Sequence, residues 1–170
     1  DIIVAGATPA ILAAKNATST IPVVIVAADP VESGLVASLA RPGGNITGQA
    51  LLSSELNGKR LQLLKEIVPG VSRIAVLSNA TNPGHAIQMR ATEAAAKTLG
   101  VALQSLEWRG PDDFEKVFQA ATSGRASALL VLDDATFTTH RTRIVNLSAR
   151  SRLPAMYATS AFAEAGGLIV

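Results

Sequence analysis

The 170-residue sequence predicts an α/β fold, a doubly wound parallel sheet with one complete lobe and part of a second. Short branched apolar runs alternate along the chain with segments of helical period, the pattern of right-handed βαβ units. Three of those runs end in a small polar residue followed by proline: Thr8-Pro9, Asp29-Pro30 and Asn82-Pro83. Such residues cap helices with their side-chain oxygens, and proline in the first turn loses no hydrogen bond, so each reads as strand, turn, helix start. The apolar content is 48% with only 4% aromatic residues, a composition rich in Ala, Val, Leu and Ile that suits parallel strands buried on both faces.

Taken in order, strands are predicted at 2–5, 22–27, 46–51, 73–78, 101–106, 128–132 and 154–157. Helices are predicted at 10–17, at 55–68 with Leu61, Leu64 and Ile67 on one face, at 85–99, at 112–121 with Phe114, Val117 and Phe118, and at 138–150 with Ile144 and Leu147. The loop Arg41-Pro-Gly-Gly-Asn45 breaks the alternation and reads as a crossing between lobes. Residues 1–45 are then an incomplete first lobe, 46–165 a complete second lobe with five βα steps after Arg73, and 166–170 the start of a return to the first lobe. Both ends of the chain fall inside strand-like sequence, the expected look of an interior piece of a longer protein.

Fifteen basic and thirteen acidic residues are spread along the chain, and no basic run with interleaved aromatics marks a nucleic-acid surface. No apolar stretch approaches the length of a bilayer span, so the chain is not membrane-embedded. The absence of cysteine excludes disulfides, thiolate nucleophiles and Cys-ligated metals. No metal site and no cofactor motif is predicted. The fingerprints of dinucleotide, nucleoside-triphosphate and nucleophile-elbow sites are missing, which weighs against an enzyme on a flavodoxin-like sheet.

Ligands of open α/β sheets bind where helix N-termini meet the carboxyl ends of strands, so the candidate site lies in those turns. Thr8 and Pro9 open a helix whose amides and Thr8 hydroxyl suit a carboxylate. Asp29 suits an ammonium or hydroxyl, or is a plain cap. A second lobe of strand order 2-1-3-4-5 places a crevice at the loops 78–82 and 133–136. There Asn79 and Asn82 offer amides, and Asp134 is either a capping acid or the partner of a ligand ammonium. Tyr157, the one tyrosine, ends a strand and either stacks on a flat ligand at the cleft mouth or packs in the core. Trp108, Phe114 and Phe118 read as structural, and His85 and His140, each without a nearby acid or second histidine at metal spacing, as solvent-exposed.

Five stretches carry a family resemblance: Ala7-Thr-Pro-Ala-Ile-Leu-Ala-Ala-Lys15, Thr20-Ile-Pro-Val-Val24, Asp29-Pro-Val-Glu-Ser-Gly-Leu-Val36, Arg41-Pro-Gly-Gly-Asn-Ile-Thr-Gly48 and Leu77-Ser-Asn-Ala-Thr-Asn-Pro83. The chain resembles the ABC-transporter substrate-binding proteins of the type I periplasmic fold, in the group with tryptophan- and tyrosine-binding relatives. The resemblance implies two hinged lobes that close on a small molecule, here an amino acid or related carboxylate, deliver it to a membrane permease and perform no chemistry. It also implies a periplasmic or lipid-anchored extracytoplasmic location, with the signal segment outside this chain, and an ammonium-binding role for Asp134. The effector domain of a transcription regulator shares the fold and is the competing reading. Because the first lobe is incomplete, its strands are expected to pair with a second copy, as a homodimer or by strand exchange.

Overall fold

The computed structural model describes residues 1–170 and contains two parallel sheets. In the first, β1 (Ile3–Gly6), β2 (Val23–Ala28) and β3 (Ile46–Leu51) lie in that order, with α1 (Thr8–Ala17) joining the first pair. In the second, β5 (Ala102–Trp108), β4 (Arg73–Asn79), β6 (Ala128–Val131) and β7 (Ala155–Met156) run in the order β5-β4-β6-β7. Helices α2 (Ser53–Ile67) and α3 (Gly84–Leu99) cover one face of this sheet through Leu61, Leu64 and Ala96. The other face is covered by α4 (Phe114–Ser123), α5 (Ala135–Thr139), α6 (Arg141–Arg150) and α7 (Ala161–Glu164), with Phe118, Phe137, Ile144 and Phe162 pointing inward. Every residue of β6 is buried, as a central parallel strand requires.

The second sheet has the predicted 2-1-3-4 order, with four strands rather than five. The fifth position is marked by a single bridge, Met156 to Ile169. Residues 166–170 therefore return to the second sheet at Ile169, where a crossing toward the first lobe was expected.

The lobe boundary also lies elsewhere than predicted. β3 pairs along its whole length with β2, so residues 46–51 belong to the first sheet and the chain crosses at Leu52. The Arg41–Asn45 loop is an excursion within the first lobe, tied down by Asn45 Nδ2 donating to the Ile21 carbonyl at 2.7 Å and the Thr18 carbonyl at 3.2 Å. Gly48 permits the close pairing: its φ is +149°, and a Cβ there would collide with the Ile25 carbonyl oxygen.

Asp29-Pro30 starts no helix. Asp29 has φ +48°, and the chain makes one turn, Ser33 N–H to the Asp29 carbonyl at 3.0 Å, before Gly34 at φ +68° ends it. The predicted helix 138–150 is divided at His140, whose φ and ψ of −95° and 15° separate α5 from α6. His140 is half-buried against Trp108 and Phe114 rather than exposed. Trp108, Phe114 and Phe118 are core residues as expected. The first sheet differs from its expectation in having one bare face: Ala5, Val23, Ile25 and Ala27 are buried beside Ile11, while Val4, Val24 and Val26 on the reverse are exposed.

Candidate functional site

A cavity of about 310 Å³ opens where the carboxyl ends of the two sheets face each other. The first sheet contributes Gly6, Ala7 and Thr8, and the second lobe contributes Asn82, Gln88, Asp133 and Asp134. Of the residues singled out from sequence, this brings together Thr8, Asn82 and Asp134.

Thr8 is not the cap of α1. Ala7 holds that position at φ 64° and ψ 143°, a conformation unusual for any residue with a side chain. Thr8 is the first helical residue, and its buried hydroxyl makes no capping bond and lines the cavity. Pro9 follows in the first turn, exposed and outside the cavity lining. Across the gap stands Gly84, at the start of α3: a Cβ there would lie 2.7 Å from Thr8 Oγ1. The two lobes therefore meet at backbone and hydroxyl.

Asp134 is buried, and its carboxylate is engaged within its own lobe. Oδ2 accepts from Asn82 Nδ2 at 2.8 Å and Asn79 Nδ2 at 3.2 Å, with His85 Nε2 at 3.3 Å. Oδ1 accepts the Thr136 N–H at 2.8 Å, so Asp134 also caps α5. Asn79 sits behind this cluster and does not line the cavity; its Oδ1 accepts from the Thr81 N–H at 3.0 Å and hydroxyl at 2.7 Å. Asn82 Oδ1 accepts the Gly84 N–H at 3.0 Å, which makes it the functional cap of α3.

His85 is buried rather than exposed. The Asn79 N–H donates to its Nδ1 at 2.8 Å, so Nδ1 is unprotonated, and the proton rests on Nε2, which lies 3.1 Å from the Asp133 carbonyl. Burial pulls its pKa below the ordinary histidine value, against the opposing pull of the Asp134 charge. Both ring nitrogens are committed, so this His–Asp pair has no free nitrogen to take a substrate proton.

Two predicted site residues lie elsewhere. Asp29 accepts from the Ser54 hydroxyl at 2.7 Å on Oδ2 and from the Ser54 N–H at 3.4 Å on Oδ1. It caps α2 across the lobe boundary instead of facing the cavity, because its positive φ turns the chain there. Tyr157 is buried in the second core, stacked on Phe162 at 4.6 Å and 12°, since β7 ends beneath α7 rather than at the cleft mouth. Burial pushes its phenol pKa up, with the Ser148 hydroxyl opposing.

Sequence reasoning placed Asp133 in the crevice loop 133–136 without giving it a role, and missed Gln88. Asp133 is half-buried, and its Oδ2 accepts from the Ser53 hydroxyl at 3.1 Å. Gln88 is 1% exposed although it is a polar residue in the second turn of α3. Its signal was available: Gln88 and Thr92, both polar, occupy the helix face that holds Ala96 against the core.

The family model described as ABC transporter substrate binding protein matches residues 1–170. The Tyrosine-binding protein of Clostridioides difficile (strain R20291) is 31% identical over 99% of this chain and 48% of its own length. An ABC domain from Streptococcus pneumoniae solved in complex with L-Trp is 27% identical, with a TM-score of 0.89 over 99% of this chain and 56% of that one. A ligand-free, open substrate binding protein with adhesive properties from Clostridium difficile is 28% identical, with a TM-score of 0.63 over 96% of this chain and 55% of that one. The chain thus spans about half the length of the relatives it matches. With two parallel sheets facing each other across a cavity and a family match from end to end, this chain belongs to the ABC transporter substrate binding protein family.

Proposed function

We propose that this chain forms part of an extracytoplasmic solute receptor that closes on one small zwitterion, an amino acid or related carboxylate, and presents it to an ABC permease without transforming it. The cavity between the facing carboxyl ends of the sheets carries the reading: it pairs donors, the Thr8 hydroxyl and the α1 N-terminus, with an acidic wall, Asp133 and Asp134. A ligand carboxylate faces the donors. Its ammonium faces Asp133, whose Oδ1 is uncommitted, while the internally bonded Asp134 adds fixed negative charge. At about 310 Å³ the cavity is near the lower end of the roughly 300–1,000 Å³ of small-molecule sites, in keeping with a single amino acid.

The Tyrosine-binding protein and the relative solved with L-Trp support an aromatic amino acid as the ligand. At nearly equal identity, the chain matches the L-Trp complex far better than the open relative, which supports a closed arrangement of the lobes. The bare valine face of the first sheet serves, in this isolated chain, as a surface for a second copy.

Titration of the full-length protein with L-tyrosine and L-tryptophan in a calorimeter tests the proposal. Saturable one-to-one binding of either is expected. No heat with either, from protein stripped of copurified ligand by unfolding and refolding, rules out the aromatic amino-acid reading.

A further inference from the structure

We infer that Gln88 is a specificity-determining residue of the cleft, whose side-chain amide hydrogens recognise the carboxylate of the bound ligand together with the Thr8 hydroxyl. The inference rests on the amino-acid reading above and names the group that distinguishes an acid from its neutral analogues.

The orientation of the Gln88 amide follows from a one-way string of donors. Arg60 has donors only: one amino group donates to the Ala158 carbonyl at 3.0 Å and the other to Asn57 Oδ1 at 3.0 Å. Asn57, wholly buried, must therefore turn its Nδ2 outward, and this donates to Gln88 Oε1 at 3.2 Å. Gln88 is left with Nε2 at the end of the string. That nitrogen donates to no group of the chain, and Gln88 lines the cavity. A flipped amide would set two NH₂ groups against each other, so the cation at Arg60 fixes which end of Gln88 faces the ligand.

The Nε2 hydrogens are open to the cavity rather than sealed in the core, so they are free to meet a ligand acceptor there. The neighbouring groups define that acceptor. Gln88 is one helical turn beyond Gly84, the residue against which Thr8 Oγ1 stands, so the amide and the hydroxyl flank the same part of the cleft. Two side-chain donors together with the α1 N-terminus suit an anionic acceptor rather than a neutral one.

The test compares L-tyrosine with L-tyrosinamide, and L-tryptophan with L-tryptophanamide, on the full-length protein by calorimetry. The amides keep the ring and the ammonium and lose the negative charge. The wild type is expected to prefer the acids. Gln88→Glu keeps the acceptor that Asn57 needs and replaces the donor by a carboxylate oxygen, so the acid-to-amide affinity ratio should fall about ten-fold or more. Gln88→Met, which removes the donor at similar volume, should lower the ratio in the same direction, and it serves alone if the Glu variant does not fold. A purely structural role for Gln88 lowers both affinities together, so an unchanged ratio in the folded variants overturns the inference. A wild type that binds the acids without preferring them over the amides overturns it while leaving the amino-acid reading intact. A wild type that binds none of the four compounds overturns both.

Discussion

At the residue scale, Asp134 illustrates how a correct pattern yields an incomplete role. An acid after an apolar strand and before a helix is readable in the sequence, and it does line the cleft. Four donors of its own lobe hold it, however, and no local pattern foretells that Asn79, Asn82 and His85 converge on it from residues 49 to 55 positions away. Tyr157 failed as a site residue for the complementary reason: whether the end of a strand is open or roofed depends on α7, a helix too short to be read from periodicity. Gln88 was hidden because a polar residue within a helix reads as a solvated face by default. His85 provides a pH test of this network. Its folded pKa is depressed, so as pH falls the unfolded chain takes up the proton first, and the stability contributed by neutral His85 is intact above the unfolded value near 6.5 and lost below it. The melting temperature should therefore drop between about pH 7.5 and 5.5, and His85→Gln should show a shallower drop from a lower starting point. Parallel curves for the two proteins would contradict this account.

At the scale of elements, the alternation of strands and helices was legible because buried parallel strands and amphipathic helices differ in composition as well as period. β3 was predicted with its observed bounds, Ile46–Leu51, yet assigned to the wrong lobe. Partner choice between strands is a non-local property, and the glycine-rich loop before β3 imitates a domain boundary. Of the three polar-proline turns, those at Thr8-Pro9 and Asn82-Pro83 lead into helices, whereas Gly34 stops the third after a single turn. The pairing of β3 gives a direct test. Gly48→Ala places a methyl group against the β2 backbone at a positive φ and should cost about 2–4 kcal/mol in denaturant melts. Gly44→Ala, four residues earlier and open on all sides, should stay within about 0.5 kcal/mol of wild type. Equal effects at the two positions would show that β3 is not held as described.

At the scale of the whole molecule, the second lobe is covered on both faces while the first has one bare face, with Val4 79% exposed on the edge strand. An isolated 170-residue chain should therefore self-associate with rising concentration in light scattering, and Val4→Lys should weaken that association about ten-fold. A strictly monomeric wild type at high concentration would refute the surface for a second copy. The meeting of Gly84 with Thr8 has a different consequence. Where the halves touch, one partner brings no rotatable side chain and the other a single short hydroxyl, so shutting the cleft at that point freezes almost no rotamers. Nearly all of a guest's interaction energy there remains for holding the guest.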